Sequence, residues 1–135
     1  MIDLKKKKVK IFIYGTLKKY AQFSNLIRAG KIKRIGKGRI QAKLYDFGEY
    51  PGAVGGKGSY VYGEVYEIAD IDRVLSLLDE YEEFNSTKPA SSLFIRKTSK
   101  VLMEDGEETF AFTYFYNREI GKARVIPNGI WRGTK

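Results

Sequence analysis

Residues 9–14 form a short apolar segment that carries bulky side chains on both faces of an extended strand. Aliphatic residues at positions 9, 11 and 13 alternate with Phe12 and Tyr14. Because successive side chains of a strand point to opposite faces, both faces of this strand must be covered. The segment therefore predicts a sheet that is packed on two sides, and Gly15 predicts a turn where the strand ends.

The chain contains no His and no Cys among its 135 residues. This absence excludes Ser-His and Cys-His catalysis and the usual zinc sites. Any chemistry must rest on carboxylates, hydroxyls, lysines and backbone amides. A carboxylate is then the first candidate for an acid or base, and we expect neither a metal nor a cofactor.

Size and composition predict one domain with one core. The 43% hydrophobic and 14% aromatic content excludes a disordered chain. Four consecutive lysines, Lys5–Lys8, predict a basic tail over residues 1–8, followed by a single domain over residues 9–135. No apolar run is long enough for a membrane span, and none near the start suits a signal peptide. We therefore expect a cytoplasmic protein with no membrane partner.

The net charge of +9 is concentrated in the first part of the chain. Residues 1–50 hold 14 basic and 3 acidic residues, whereas residues 51–135 hold 11 and 13. This asymmetry indicates either a solvated basic surface or an anionic partner, and we favour the solvated surface over nucleic-acid binding. The cations that a nucleic-acid site would use are Lys5–Lys10, Lys31, Lys33, Arg34, Lys37 and Arg39.

Strands dominate the rest of the pattern. Two segments with helical periodicity interrupt them, a short one before Gly30 and a second one after Asp70, which is placed to cap its start. The predicted fold class is therefore α+β, a small mixed β-barrel or curved sheet flanked by short helices. The predicted elements are strands at 32–45, 60–68, 94–103 and 108–116, helices at 21–29 and from 70, bulges at Gly36 and Gly38, a turn at 50–52 and a flexible loop at 55–58.

One carboxylate of the second helix is predicted to face the interior. Projected at about 100° per residue, Glu82 returns to the middle of the apolar face, whereas Asp79 and Glu83 lie toward its rim. Burial and the two neighbouring carboxylates would raise the pKa of Glu82 toward that of a useful general acid-base. The alternative is that the helix ends by Tyr81 and leaves Glu82 solvated in a turn.

The turn Tyr14-Gly15-Thr16-Leu17 also admits two interpretations. A glycine at a strand end lets backbone N–H groups face a small anionic ligand. Equally, a Gly-Thr pair can simply end a strand. Late in the chain, Tyr114 and Tyr116 share one face of the last long strand, and either is a core residue or a phenol that faces a ligand. Trp131 is predicted to anchor the C-terminal segment by packing.

Four motifs in this order resemble the gamma-glutamylcyclotransferase-like family. They are Phe-x-Tyr-Gly-Thr-Leu at 12–17, Tyr50-Pro51-Gly52, Gly63-Glu64-Val65-Tyr66 and Leu78-Asp79-Glu80-Tyr81-Glu82. The resemblance runs from about Val9 to Trp131. It implies a small β-barrel with helices and a cavity.

The resemblance further implies an enzyme that converts a γ-glutamyl amide or peptide into 5-oxoproline and a free amine. In that family a Tyr-Gly-x-Leu loop holds the glutamyl group, which maps to Tyr14, Gly15, Thr16 and Leu17. Its catalytic glutamate, the proton acceptor, maps to Glu82, and a late tyrosine maps near Tyr116. The implied partner is a small-molecule substrate.

Two positions depart from the family pattern. Glu83 stands where members often carry Gly, and Ile130 replaces the Asp of an Ile-x-x-Gly-Asp-Trp motif. A non-catalytic module of the same fold that binds a small metabolite is the alternative to the enzyme.

Overall fold

The structure, a computed structural model, describes residues 8–133. The predicted basic tail lies outside the described residues except for Lys8. The described elements are β1 (Val9–Ile13), α1 (Ala21–Arg28), β2 (Ile32–Asp46), β3 (Pro51–Ile68), α2 (Ile71–Tyr81), β4 (Phe94–Met103), β5 (Glu108–Tyr116) and β6 (Arg124–Val125), with 3₁₀ turns at Thr16–Lys19 and Pro89–Ser91.

Five of the strands close into a barrel. The antiparallel ladders join β1 to β3, β3 to β2, β2 to β4 and β4 to β5. A parallel pairing of Ile11 with Phe112 joins β5 back to β1 and completes the ring. β6 adds a short sixth strand beside β2. The predicted α+β class with a small mixed barrel and short helices is confirmed.

The first strand is buried on both faces, as its sequence predicts. Phe12 belongs to a cluster to which each of the five barrel strands contributes, and this cluster fills the barrel. Ile11 and Ile13 belong to a second cluster, which includes Phe23 of α1 and Leu78 of α2. The helices therefore cover one outer side of the barrel, next to the end of β1. The predicted packing of Trp131 is also confirmed, because it lies against the barrel cluster.

The predicted flexible loop at 55–58 is wrong. β3 continues through it, since Gly55 pairs with Ala42 and Tyr60 pairs with Gln41 on β2. The four residues 56–59 form a bulge between these two pairs. The long partner strand holds both flanks in one ladder, and a bulge accommodates the extra glycines without ending the strand.

Two other local predictions need correction. The turn near Tyr50 closes earlier than predicted, because the Phe47 N–H donates to the Tyr50 carbonyl (3.0 Å) and Pro51 already belongs to β3. Asp70 does precede α2, but its φ of 47° is left-handed and its side chain makes no capping hydrogen bond. Of the two predicted bulges in β2, the register shift lies between Arg34 and Gly36, whereas Gly38 pairs regularly with Gly63.

Candidate active site

The turn after β1 and the end of α2 share one small cavity. Its volume is about 130 Å³. Strand β5 and the segments before β3 and β4 complete its wall. The residues that line it are Phe12, Ile13, Tyr14, Gly15, Thr16, Leu17, Tyr50, Pro51, Tyr81, Glu82, Glu83, Leu93, Phe94 and Tyr114.

Glu82 lies at the C-terminal cap of α2 and lines this cavity. The helix ends at Tyr81, and the Glu82 N–H still donates to the Leu78 carbonyl (3.0 Å). The sequence left open whether the helix reaches residue 82. The helix ends one residue before Glu82, yet the Glu82 side chain is only partly exposed. Burial raises the pKa of the Glu82 carboxyl from 4.5 to about 8.

The cause of this raised pKa differs from part of the prediction. Desolvation of the Glu82 carboxyl accounts for it, without a contribution from Asp79 or Glu83. Asp79 is neutralised by a cation, because Nη1 of Arg96 lies 2.6 and 2.5 Å from its two carboxylate oxygens. Glu83 is exposed, so water screens its charge.

Asp79 fastens the last turn of α2 to the barrel. Arg96 comes from β4, and the Tyr114 hydroxyl on β5 donates a second hydrogen bond to Asp79 (2.6 Å). The Arg96 guanidinium also lies over the rings of Phe84 and Phe112, at 5.6 and 5.1 Å from their centroids. Burial and the hydrogen bond to Asp79 raise the pKa of Tyr114, so its phenol stays neutral. Glu82, three residues beyond Asp79, is thereby held at the cavity wall.

Tyr14 contributes its ring to the cavity and uses its hydroxyl to join three strands. The hydroxyl donates to the Tyr114 carbonyl (2.6 Å) and accepts from the Ala53 N–H (3.0 Å). Burial, together with the nearby charge of Glu82, raises the pKa of Tyr14 well above its ordinary value. The phenol therefore stays protonated beside Glu82.

The turn after β1 is fixed from two sides. A Cβ atom at Gly15 would lie 2.7 Å from Cγ of Pro51, so only glycine allows this close approach. The Tyr81 hydroxyl lies 3.2 Å from the Thr16 carbonyl oxygen and 3.3 Å from the Thr16 hydroxyl. Leu17 is buried beneath the turn. Tyr81, which directly precedes Glu82, thus ties the turn to the end of α2.

Tyr116 does not line this cavity. Its ring stacks on Phe47, with centroids 4.0 Å apart, and meets the edge of Phe94 at 5.7 Å. Tyr114, two residues earlier on the same face of β5, lines the cavity instead. The strand alternation identifies both tyrosines but does not say which of them reaches the cavity.

Two residues of the site had no assigned role in the sequence. Tyr81 lay inside the quoted Leu78–Glu82 motif, so its position beside Glu82 was available as a signal. Arg96 had no such signal, because its contact with Asp79 depends on where β4 lies relative to α2.

Glu83 occupies a backbone conformation that glycine adopts more readily than other residues. Its φ is 54°, in the left-handed region that glycine adopts most readily. The Glu83 carbonyl accepts a hydrogen bond from the Leu93 N–H (3.1 Å), which fixes the chain as it leaves α2. This hydrogen bond holds Glu83 in the left-handed conformation.

Residues 8–133 contain no cluster of three acidic side chains that is arranged to hold a metal ion. Over the same residues, neither helix has the length and apolar character that a bilayer span requires.

The family assignment rests on a match over most of the chain. Residues 11–133 match the family described as gamma-glutamyl cyclotransferase, AIG2-like. The chain belongs to this family. It is 29% identical over 129 residues to the gamma-glutamylcyclotransferase family protein YtfP of Escherichia coli K12, an alignment that covers 91% of this chain and 96% of YtfP.

Solved structures support the same fold. The solution structure of E. coli YtfP aligns with a TM-score of 0.64 and 28% identity, over 92% of this chain and 96% of YtfP. YkqA from Bacillus subtilis aligns with a TM-score of 0.66 and 25% identity over 93% of this chain, which spans only 40% of the YkqA chain. An AIG2-like protein from Mus musculus aligns with a TM-score of 0.59 and 26% identity, over 80% of this chain and 76% of that protein.

Proposed function

We propose that the protein is a gamma-glutamylcyclotransferase. It would convert the γ-glutamyl group of an amide or peptide into 5-oxoproline and release the amine, with Glu82 as the general acid-base. The observation that carries this proposal is the position of Glu82, which lines the cavity together with the turn after β1. Its carboxyl is partly buried there, and burial raises the pKa to about 8. Membership of the family supports the same reaction.

The reaction needs no nucleophile from the protein. The α-amine and the γ-carbonyl carbon belong to one substrate molecule, and a bound conformation that brings them together gives a large effective molarity. Glu82, as carboxylate, takes a proton from the α-ammonium group. The freed amine nitrogen attacks the γ-carbonyl carbon and forms the new C–N bond of a five-membered ring.

Collapse of the tetrahedral intermediate completes the reaction. Glu82, now protonated, delivers its proton to the departing nitrogen as the original amide C–N bond breaks. The products are 5-oxoproline and the free amine, and the carboxylate is regenerated. The pKa of about 8 suits both transfers, because a group that titrates near the working pH can both accept a proton and return it.

The turn Tyr14-Gly15-Thr16-Leu17 would hold the glutamyl group. The N–H groups of Gly15, Thr16 and Leu17 come before or at the start of the 3₁₀ turn, where no earlier turn supplies carbonyl partners. In this proposal they bind the substrate α-carboxylate or the developing oxyanion. Tyr114, rather than Tyr116, is the proposed phenol in contact with the substrate, since it lines the cavity.

The cavity also limits how much of a substrate it encloses. At about 130 Å³ it is smaller than the 300–1,000 Å³ typical of drug-sized ligand sites. We therefore propose that the glutamyl group binds inside and that the amine side extends toward the mouth.

A mass-spectrometric screen of γ-glutamyl amides and peptides tests the proposal. The expected result is release of 5-oxoproline together with the matching amine from at least one compound. Binding of these compounds, measured by calorimetry, without any product would contradict the enzyme and favour the alternative of a non-catalytic module that binds a small metabolite.

A further inference from the structure

The outer face formed by β3, β2, β4 and β5 carries all of the exposed large aromatic side chains in residues 8–133. These are Tyr60, Tyr62 and Phe110, which are 38%, 42% and 66% exposed. None of them lines the catalytic cavity. We call this surface the aromatic face, defined by Tyr60 and Tyr62 of β3, Arg39 of β2, Lys100 of β4 and Phe110 of β5.

The strand register places these five side chains on one side of the barrel wall. Arg39 of β2 pairs with Tyr62 of β3, and Lys100 of β4 pairs with Phe110 of β5. The residues that alternate with them point inward, since Ile40, Val61, Val101 and Ala111 are all buried. Adjacent strands lie about 4.8 Å apart, so the face extends about 14 Å from β3 to β5.

Arg39 is the central cation of the aromatic face. Its guanidinium carbon lies 4.5 Å from the centroid of the Tyr60 ring. Among the described residues no carboxylate lies within 4.0 Å of it, and its buried Nε has no hydrogen-bond partner. A partly buried guanidinium without a carboxylate partner is a favourable position for an anion such as a phosphate.

Basic side chains predominate around Arg39, although Glu104 and Glu108 line the same surface depressions. Lys37 and Lys43 point outward from β2 and are exposed. Lys100 pairs with Glu108 at 2.6 Å, but both are exposed, so this pair is weak and open to exchange with another anion. Cations interspersed with open ring faces are the combination that single-stranded nucleic acids bind, through phosphates and through stacked bases.

We propose that the aromatic face binds single-stranded nucleic acid, as a function separate from the cavity. Bases stack on Tyr62, on Phe110 and on the Arg39–Tyr60 pair, and phosphates lie against the lysines. A duplex does not fit, because its bases are already stacked and cannot reach the rings. A second copy of the chain across a two-fold axis would bring like-charged faces together.

Fluorescence anisotropy of labelled oligo(dT) and oligo(rU), with a duplex as the third probe, tests this proposal. Both single strands should bind, and the duplex should bind much more weakly. Between 50 and 200 mM salt the affinity should decrease about 20-fold if three phosphates are neutralised.

Matched variants separate the aromatic face from general basicity. Tyr62→Ala and Phe110→Ala should each weaken binding at least about fivefold, whereas Ile27→Ala, at an equally exposed residue of α1, should not. Arg39→Ala should reduce the salt dependence, and Lys88→Ala, which removes one charge from the loop after α2, should have a smaller effect.

Three outcomes would overturn the proposal. One is binding by Tyr62→Ala and Phe110→Ala that equals wild type, and another is duplex affinity equal to single-strand affinity. The third is sedimentation that shows a dimer dissociated by these substitutions, which would identify the face as a self-association surface. Cyclisation activity, where found, should be unchanged in Phe110→Ala, since that residue lies outside the cavity.

Discussion

The ionisation of Glu82 should make the folded protein less stable as the pH rises. An unfolded chain loses the Glu82 proton near pH 4.5, whereas the folded protein holds it until about pH 8. Between these values the folded state binds more protons than the unfolded state, so stability decreases with pH and becomes constant above about pH 8. Glutamine does not titrate, so Glu82→Gln should escape this loss.

The size of the effect follows from the two pKa values. Each unit of difference corresponds to about 1.4 kcal/mol, so an ordinary value of 4.5 and a folded value of about 8 give roughly 5 kcal/mol as an upper limit. Water that enters the partly exposed cavity reduces this figure. Relative to wild type, we expect the free energy of unfolding of Glu82→Gln to be about 2 to 4 kcal/mol larger at pH 9 than at pH 5.

Urea denaturation followed by the fluorescence of Trp131, the single tryptophan, measures this difference. Glu80→Gln on the exposed side of α2 is the matched control, because it removes the same charge from a solvated position. That control should change stability equally at both pH values. If Glu82→Gln also shows no dependence on pH relative to wild type, the carboxyl is not buried and the raised pKa is refuted.

Three further predictions concern activity and local structure. The kcat/KM for a cyclised substrate should rise with pH and reach half of its maximum near pH 8, where free Glu82 becomes a carboxylate, and a flat profile from pH 6 to 9 would argue against this base. Asp79→Asn breaks a partly buried ion pair and should cost about 2 to 3 kcal/mol of stability and lower kcat, whereas a urea midpoint equal to wild type would show that α2 is held by other contacts. Glu83→Gly removes a glutamate from a left-handed backbone conformation, which costs about 1 to 2 kcal/mol. Glycine also makes the unfolded chain more flexible, which offsets part of this gain, so the melting temperature of the variant should rise slightly. A lower melting temperature than that of wild type would show that Glu83 is not strained.

The sequence carries enough information for the barrel and for both halves of the candidate site. Alternation in β1 and the helical period of α2 are local signals, and both predicted elements are present. The position of Glu82 follows from the same period. Leu78, on the apolar face of α2, is fully buried, and a residue four positions later points in nearly the same direction. Local periodicity therefore predicts which carboxylate turns toward the interior, although α2 ends one residue before it.

What the sequence could not predict depends on contacts between distant segments. The glycines at 55–58 read as a loop in isolation, and only the long partner strand β2 keeps them within β3. Tyr114 and Tyr116 are equivalent by alternation, and the position of Phe47 decides that Tyr116 packs behind the wall. Arg96 meets Asp79 only because β4 lies beside the last turn of α2.

The role of Glu82 is tested most directly by comparing the release of 5-oxoproline by wild type and by Glu82→Gln. Both proteins are given a γ-glutamyl substrate that the wild type cyclises. Calorimetry on the same samples establishes that the variant still binds the substrate. Glu82→Gln should retain binding and lose nearly all turnover. Turnover by the variant comparable to that of wild type would contradict the role of Glu82 as the acid-base.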